Sequence, residues 1–183
     1  CPFHYGAIAA DDLAHTIKKM KADSATCVCG FRVRELKRMP MQLLERLAEL
    51  FNVIESEGRW PASLMTGLIT MIPKPGSGLR ASDLRPITVM STLYRAWSAT
   101  RVRQILDWQE GWISSSLKGF RHQRGCRDAY WEMALDIEEA PLRGEHLSGL
   151  TLDFAKAFDR VPHEHIFALA RTAGLSERIV KAL

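Results

Sequence analysis

The stretch Leu150-Thr151-Leu152-Asp153-Phe154-Ala155-Lys156-Ala157-Phe158-Asp159-Arg160-Val161 decides how this chain is read. The apolar run from Leu147 to Leu152 has the length and bulk of a strand buried on both faces. It ends on an acid, and Lys156, Asp159 and Arg160 follow within one bend. A carboxylate at the end of a buried strand is costly unless a basic side chain or a divalent cation meets it. A carboxylate fixed on a rigid strand suits the cation, and nucleotidyl transfer needs such a group to hold attacking and leaving oxygens in line. Alternation along the strand predicts Leu150, Leu152 and Phe154 on the core face and Thr151 with Asp153 on the other.

Working outward, the 183 residues suffice for one sizeable domain, and a 46% hydrophobic content is that of a globular protein. No run approaches the ~18 apolar residues of a membrane span, and no basic-then-apolar leader opens the chain. Starting at Cys1 and stopping inside a helical pattern, both ends read as truncations. Net charge is +4, but Met71 to Asp128 holds ten Lys/Arg against four acids, so this segment carries +6 and the rest −2. A basic middle points to a polyanionic partner, most simply nucleic acid. The four cysteines make no disulfide framework. Cys27-Val28-Cys29 is half of a metal knuckle with no second pair to complete it, and a pair of thiols fits a reducing compartment.

The pattern of apolar residues predicts a helix capped by Asp11 or Asp12 and running through Met20, a loop over 21–30, and a short basic turn around Leu36. A clear helix is expected over Met41 to Glu57, with Leu43, Leu44, Leu47, Leu50, Phe51 and Ile54 inward and Gly58 as its stop. Leu64 to Ile72 reads as a strand entering a Gly/Pro-rich loop, and Pro86 to Met90 as a second strand. A helix from Thr92 to Trp108, capped by Ser91, turns Leu93, Ala96, Trp97, Thr100, Ile105 and Trp108 inward and Arg95, Arg101 and Arg103 outward. Further helices are expected over Arg127 to Glu139 and from Pro162 to Ala173. The order is mainly helical with a few strands, the last deeply buried, which makes an α+β domain.

Three features line up. Ile72-Pro73-Lys74-Pro75-Gly76 and Leu84-Arg85-Pro86-Ile87 set a Lys and an Arg on either side of a flexible loop, where cations can close over a triphosphate. Gly119-Phe120-Arg121-His122-Gln123-Arg124-Gly125 is a basic loop opening onto a helix, suited to a phosphate backbone. The strand ending in Asp153 follows. Together with Lys21-Ala22-Asp23-Ser24-Ala25, Glu35-Leu36-Lys37-Arg38-Met39-Pro40, Arg85-Pro86-Ile87, Leu93-Tyr94-Arg95 and the Leu152–Val161 motif, these resemble, from about Lys21 to Leu183, the reverse transcriptase domain of non-LTR (LINE-like) retrotransposons.

That resemblance implies the fingers and first part of the palm of a right-hand polymerase: a helical lead-in over 1–20, fingers over 21–146, and palm from 147 to 183. It implies RNA-directed DNA polymerase (nucleotidyltransferase) activity in the longer parent, with two Mg2+ ions, an RNA template, a DNA primer and deoxynucleoside triphosphates. Asp153 resembles the first palm carboxylate, which binds both ions, and the Phe154 main-chain carbonyl a second ligand. Phe158 resembles the steric gate against a ribose 2′-OH; a plain core aromatic is the other reading. Asp159 reads as a helix-entry cap or a partner of Arg160, Lys156 as solvated. Lys74 and Arg85 resemble the triphosphate-holding residues, with Phe154 and Phe158 completing the nucleotide site, and Arg121, Arg124 and Arg127 the template track. The family also implies action in the nucleus, and no membrane.

Two departures stand out. Cys27-Val28-Cys29-Gly30 replaces the family's Gly-x-Asp-Gly turn. Neither the aromatic-x-Asp-Asp hairpin nor the Gln-Gly box occurs in the chain, so this piece alone is expected to be inactive and to bind magnesium weakly. The alternatives are a degenerate or co-opted copy that binds RNA or DNA without catalysis, and a group II intron-type maturase sharing the fold.

Overall fold

A computed structural model describes all residues except 1, 26, 77, 79, 155 and 156, together with the side chains of residues 82, 158 and 159. Its helices are α1 Ala10–Lys19, α2 Val33–Leu36, α3 Met41–Glu57, α4 Ala62–Met65, α5 Thr92–Gln109, α6 Cys126–Leu142, α7 Ala157–Arg160, α8 His163–Ala173 and α9 Glu177–Ala182. Strands β1 Leu68–Pro73 and β2 Leu84–Val89 form one antiparallel sheet, joined through a 3-10 turn at Ala81–Asp83. No helix among the described residues is long and apolar enough to cross a membrane. The mixed helical fold with a small sheet agrees with the α+β expectation.

Contacts divide the chain into one unit of residues 4–104 and 175–183 and another of 1–3 and 105–174. The first holds the core: Leu13, Ile17, Leu36, Leu44, Phe51, Ile54, Trp60, Leu93, Trp97 and Ala182 are all buried in one cluster. Helix α3 matches its expected bounds and ends on Gly58, whose φ of 66° is left-handed. An added Cβ there would meet Lys181 Cβ at 2.9 Å, so glycine is required on two counts. The buried stripe of α3 is Leu44, Leu47, Ala48, Phe51, Ile54 and Glu55, whereas Leu43 and Leu50, read as core, are exposed.

Glu55 is the largest surprise of that stripe. It is fully buried and its carboxylate accepts from Arg101 Nε at 2.6 Å, Arg101 Nη2 at 2.7 Å, Trp97 Nε1 at 2.9 Å and Arg178 Nη2 at 2.7 Å. Arg101, expected to face solvent, is therefore corrected to a core residue, its other donors reaching Gln104 Oε1 and the Gly6 carbonyl. Helical periodicity was followed by polarity alone at position 101, and a cation with a dedicated carboxylate overrides it. Burial by itself would raise the Glu55 pKa, but hydrogen bonds from Arg101 and Trp97 and the positive charge of Arg101 bring it below the ordinary value.

Other boundaries shift for local reasons. The N-cap of α1 is Ala9, with no side-chain hydrogen bond; Asp11 and Asp12 lie in the first turn, where they suit the helix dipole. The basic turn around Leu36 is a helical turn, α2, with Glu35 accepting from the Arg32 amide at 2.8 Å. The first strand begins at Leu68 because Ala62–Met65 is helical after Pro61. Helix α6 extends from Cys126 to Leu142 and carries Pro141 within its last turn.

The main correction concerns the decisive stretch. Residues 145–154 adopt no regular secondary structure and all are exposed, Leu150 at 84% and Phe154 at 75%. A strand must pair its amides and carbonyls with a neighbour. Among the described residues β1 and β2 pair only with each other, and the apolar run joins no ladder. Without a strand, the inward side of Phe154 and the alternation of Thr151 with Asp153 lapse.

Candidate nucleotide and template site

The hairpin positions the first pair of candidates by register. Arg85 stands opposite Ile72, so both side chains leave the same face; Lys74, two residues beyond Ile72, continues that face. The Lys74 amide donates to the Asp83 carbonyl at 3.0 Å, extending the ladder by one rung and placing Asp83 across from the lysine. Two cations and one acid thus share one face at the turn end of the hairpin. Pro73 and Pro86 are tolerated in its strands because a two-stranded ribbon has free edges. Lys74 and Arg85 are exposed.

The basic loop is built differently from the expectation. Arg121 is buried, with Nε and Nη2 on the two oxygens of Glu110 at 2.8 and 2.6 Å and Nη1 on the carbonyls of Ser114 and Leu117 at 2.9 and 2.8 Å. Its guanidinium is committed to the loop's interior. Hydrogen bonding from Arg121 holds the Glu110 carboxyl below its ordinary value. Lys118 is also buried and pairs with Glu132. On either side of the Arg121 anchor, Phe120 and Gln123 have φ of 56° and 55°. Such left-handed backbone costs a non-glycine residue about 1–2 kcal/mol. Arg124 and Arg127 are exposed. At the entry to α6, Asp128 Oδ2 accepts from the Gly125 amide at 2.7 Å, so a carboxylate of the chain already takes one donor read as phosphate-binding.

The basic surplus of the middle segment is accordingly part internal. Arg101, Lys118 and Arg121 are buried against acids, and Arg103 is paired with Asp12 at 2.8 Å. Outward charge rests on Lys74, Arg80, Arg85, Arg124 and Arg127. Sequence reading missed Glu110 as the partner of Arg121. An acid eleven residues away across a turn leaves no periodic signal.

Asp153 is exposed on the irregular segment, and the side chains of Phe158 and Asp159, like Lys156, lie outside the described residues. Lys74 and Arg85 belong to one unit and Asp153, Arg121, Arg124 and Arg127 to the other. Among the described residues no three His, Cys, Asp or Glu side chains converge to hold a metal ion. Cys27 and Cys29, read as thiols, are joined in a disulfide. The Ser91 hydroxyl and the Thr92 amide at the start of α5 each lie 3.4 Å from one of these sulfurs, donating to Cys29 Sγ and Cys27 Sγ respectively.

Comparison with known proteins adds the missing context. The Retrovirus-related Pol polyprotein from type-2 retrotransposable element R2DM of Drosophila melanogaster is 26% identical over 179 residues, 96% of this chain and 16% of its own length. The RNA-directed DNA polymerase from mobile element jockey of Drosophila funebris is 27% identical over 170 residues, 90% of this chain and 18% of its own. The probable RNA-directed DNA polymerase from transposon X-element of Drosophila melanogaster reaches 30% over 147 residues, 78% of this chain and 16% of its own. The chain thus spans under a fifth of the length of these relatives. The sequence model of the family described as Reverse transcriptase (RNA-dependent DNA polymerase) matches residues 72–183. That span takes in the turn side of the hairpin with Lys74 and Arg85, the Arg121 loop and the Asp153 motif, and the chain belongs to the reverse transcriptase family, with non-LTR retrotransposon polymerases as its relatives.

Proposed function

We propose that this chain serves RNA-directed DNA synthesis, supplying fingers and the beginning of a palm to a retrotransposon polymerase that acts in the nucleus. The observation that carries this reading is the hairpin register, which gathers Lys74 and Arg85 on one face beside a turn. Two cations so placed meet the charge of a deoxynucleoside triphosphate, Arg85 through its fork and Lys74 as a point charge. Arg124 and Arg127 offer outward charge to the phosphates of an RNA template and its DNA primer. Arg121 supports that track from within. Phe158 is proposed as the gate against a 2′-OH, and Phe154 as a further residue of the nucleotide site.

Reverse transcriptases generally work with a divalent metal, Mg2+. Asp153, with the Phe154 carbonyl, is the group this chain would offer it. One exposed carboxylate without converging partners among the described residues does not fit a two-ion site, and no step is derived through the metal here. The alternative of a copy that binds nucleic acid without chemistry has no observation in its favour.

The test is equilibrium binding of a fluorescent deoxynucleoside triphosphate to the chain and to Lys74→Ala and Arg85→Ala. Each substitution removes a charge-assisted contact, for which the expected loss is about tenfold or more. Affinity indifferent to both substitutions would sink the assignment.

A further inference from the structure

Phe120 is 85% exposed, carries φ of 56°, and is followed by Arg121, which is buried on Glu110 and two carbonyls. An aromatic ring held outward on a strained backbone by an internal anchor is an outlier that calls for a function. His122, Arg124 and Arg127, all exposed, follow it within seven residues and bring donors and charge to the same loop and helix start, and the acids nearest in the chain, Glu110 and Asp128, are occupied by Arg121 and the Gly125 amide. Aromatic side chains among cations form platforms on which single-stranded bases stack while phosphates meet the charge.

We propose that Phe120 is a base-stacking platform for single-stranded nucleic acid, with Arg121 as the positioning residue that fixes it rather than as a phosphate contact. This rests on the reading of the loop as part of the template track. Stacking on Phe is indifferent to base identity, as copying an arbitrary template requires. Arg124 and Arg127 supply the salt-dependent share of affinity, and Phe120 a share that salt leaves unchanged.

The experiment is binding of a short fluorescent uridine-rich RNA across a range of salt. Phe120→Ala and Phe120→Leu should weaken it by about five- to 150-fold, the range of ~1–3 kcal/mol per stacked base at ~1.4 kcal/mol per tenfold. The salt slope should not change. Phe120→Trp should retain affinity and show added fluorescence quenching on binding. Phe120→Gly, which relaxes the backbone, should raise the melting temperature yet bind weakly, an outcome that a purely structural role would not give. Normal affinity in Phe120→Ala alongside a reduced salt slope in Arg124→Ala/Arg127→Ala overturns the platform and leaves the template reading standing. No binding by the unaltered chain, or binding indifferent to all these changes, overturns both.

Discussion

The unit around Glu55 and the segment around Asp153 treat a carboxylate in opposite ways. Glu55 is fully buried with four donors upon it, from Trp97, Arg101 and Arg178, and no described buried side-chain nitrogen or oxygen lacks a partner. Asp153 stands in the open among exposed Leu150, Leu152 and Phe154. A buried charge must be compensated inside the fold, so its partners come with it. An exposed one needs none, and its chemistry depends on what approaches. The contrast separates a carboxylate that holds this chain together from one that the fold leaves open to solvent.

Several experiments can break or sharpen it. The largest effect is expected for Glu55→Ala, which strands Arg101 in the core; breaking a buried pair costs about 3–5 kcal/mol, readable by urea denaturation. Acid should act on the same pair. Because the folded Glu55 pKa is lowered, its stabilisation is complete above the unfolded value of about 4.3 and is lost as pH falls through the folded value. Glu55→Gln should flatten that part of the stability curve; an unchanged acid limb would show that another group governs it.

Gly58→Ala forces a left-handed alanine against Lys181 and should cost about 1–2 kcal/mol or more. Backbone amides of 146–154 should exchange with solvent within the dead time while those of α3 stay protected, since the former join no ladder among the described residues. Protection there would restore the strand. The smallest effect is expected for Asp153→Asn, within about 0.5 kcal/mol of the parent, as for an exposed position away from packing.

Much was legible in the sequence because it was local. Helix α3 with its glycine stop, the two strands flanking a Gly/Pro loop, α8 between Pro162 and Gly174, and the ordered motifs that carry the family resemblance are short-range patterns. What failed was non-local. Ion pairs joining Glu55 to Arg101 and Glu110 to Arg121 span turns and leave no period, so two arginines read as solvent- or template-facing turned inward.

The apolar run at 147–152 shows the same division. Its composition set its preference for a strand, but a strand exists only with a partner for its backbone groups, and that is a property of tertiary structure. By itself the sequence determined which residue types were available, their local helical and extended preferences, and the family. The tertiary structure alone decided which charges were compensated inside and which were left to meet a ligand, because desolvation is fixed by what folds around a group and not by its neighbours along the chain.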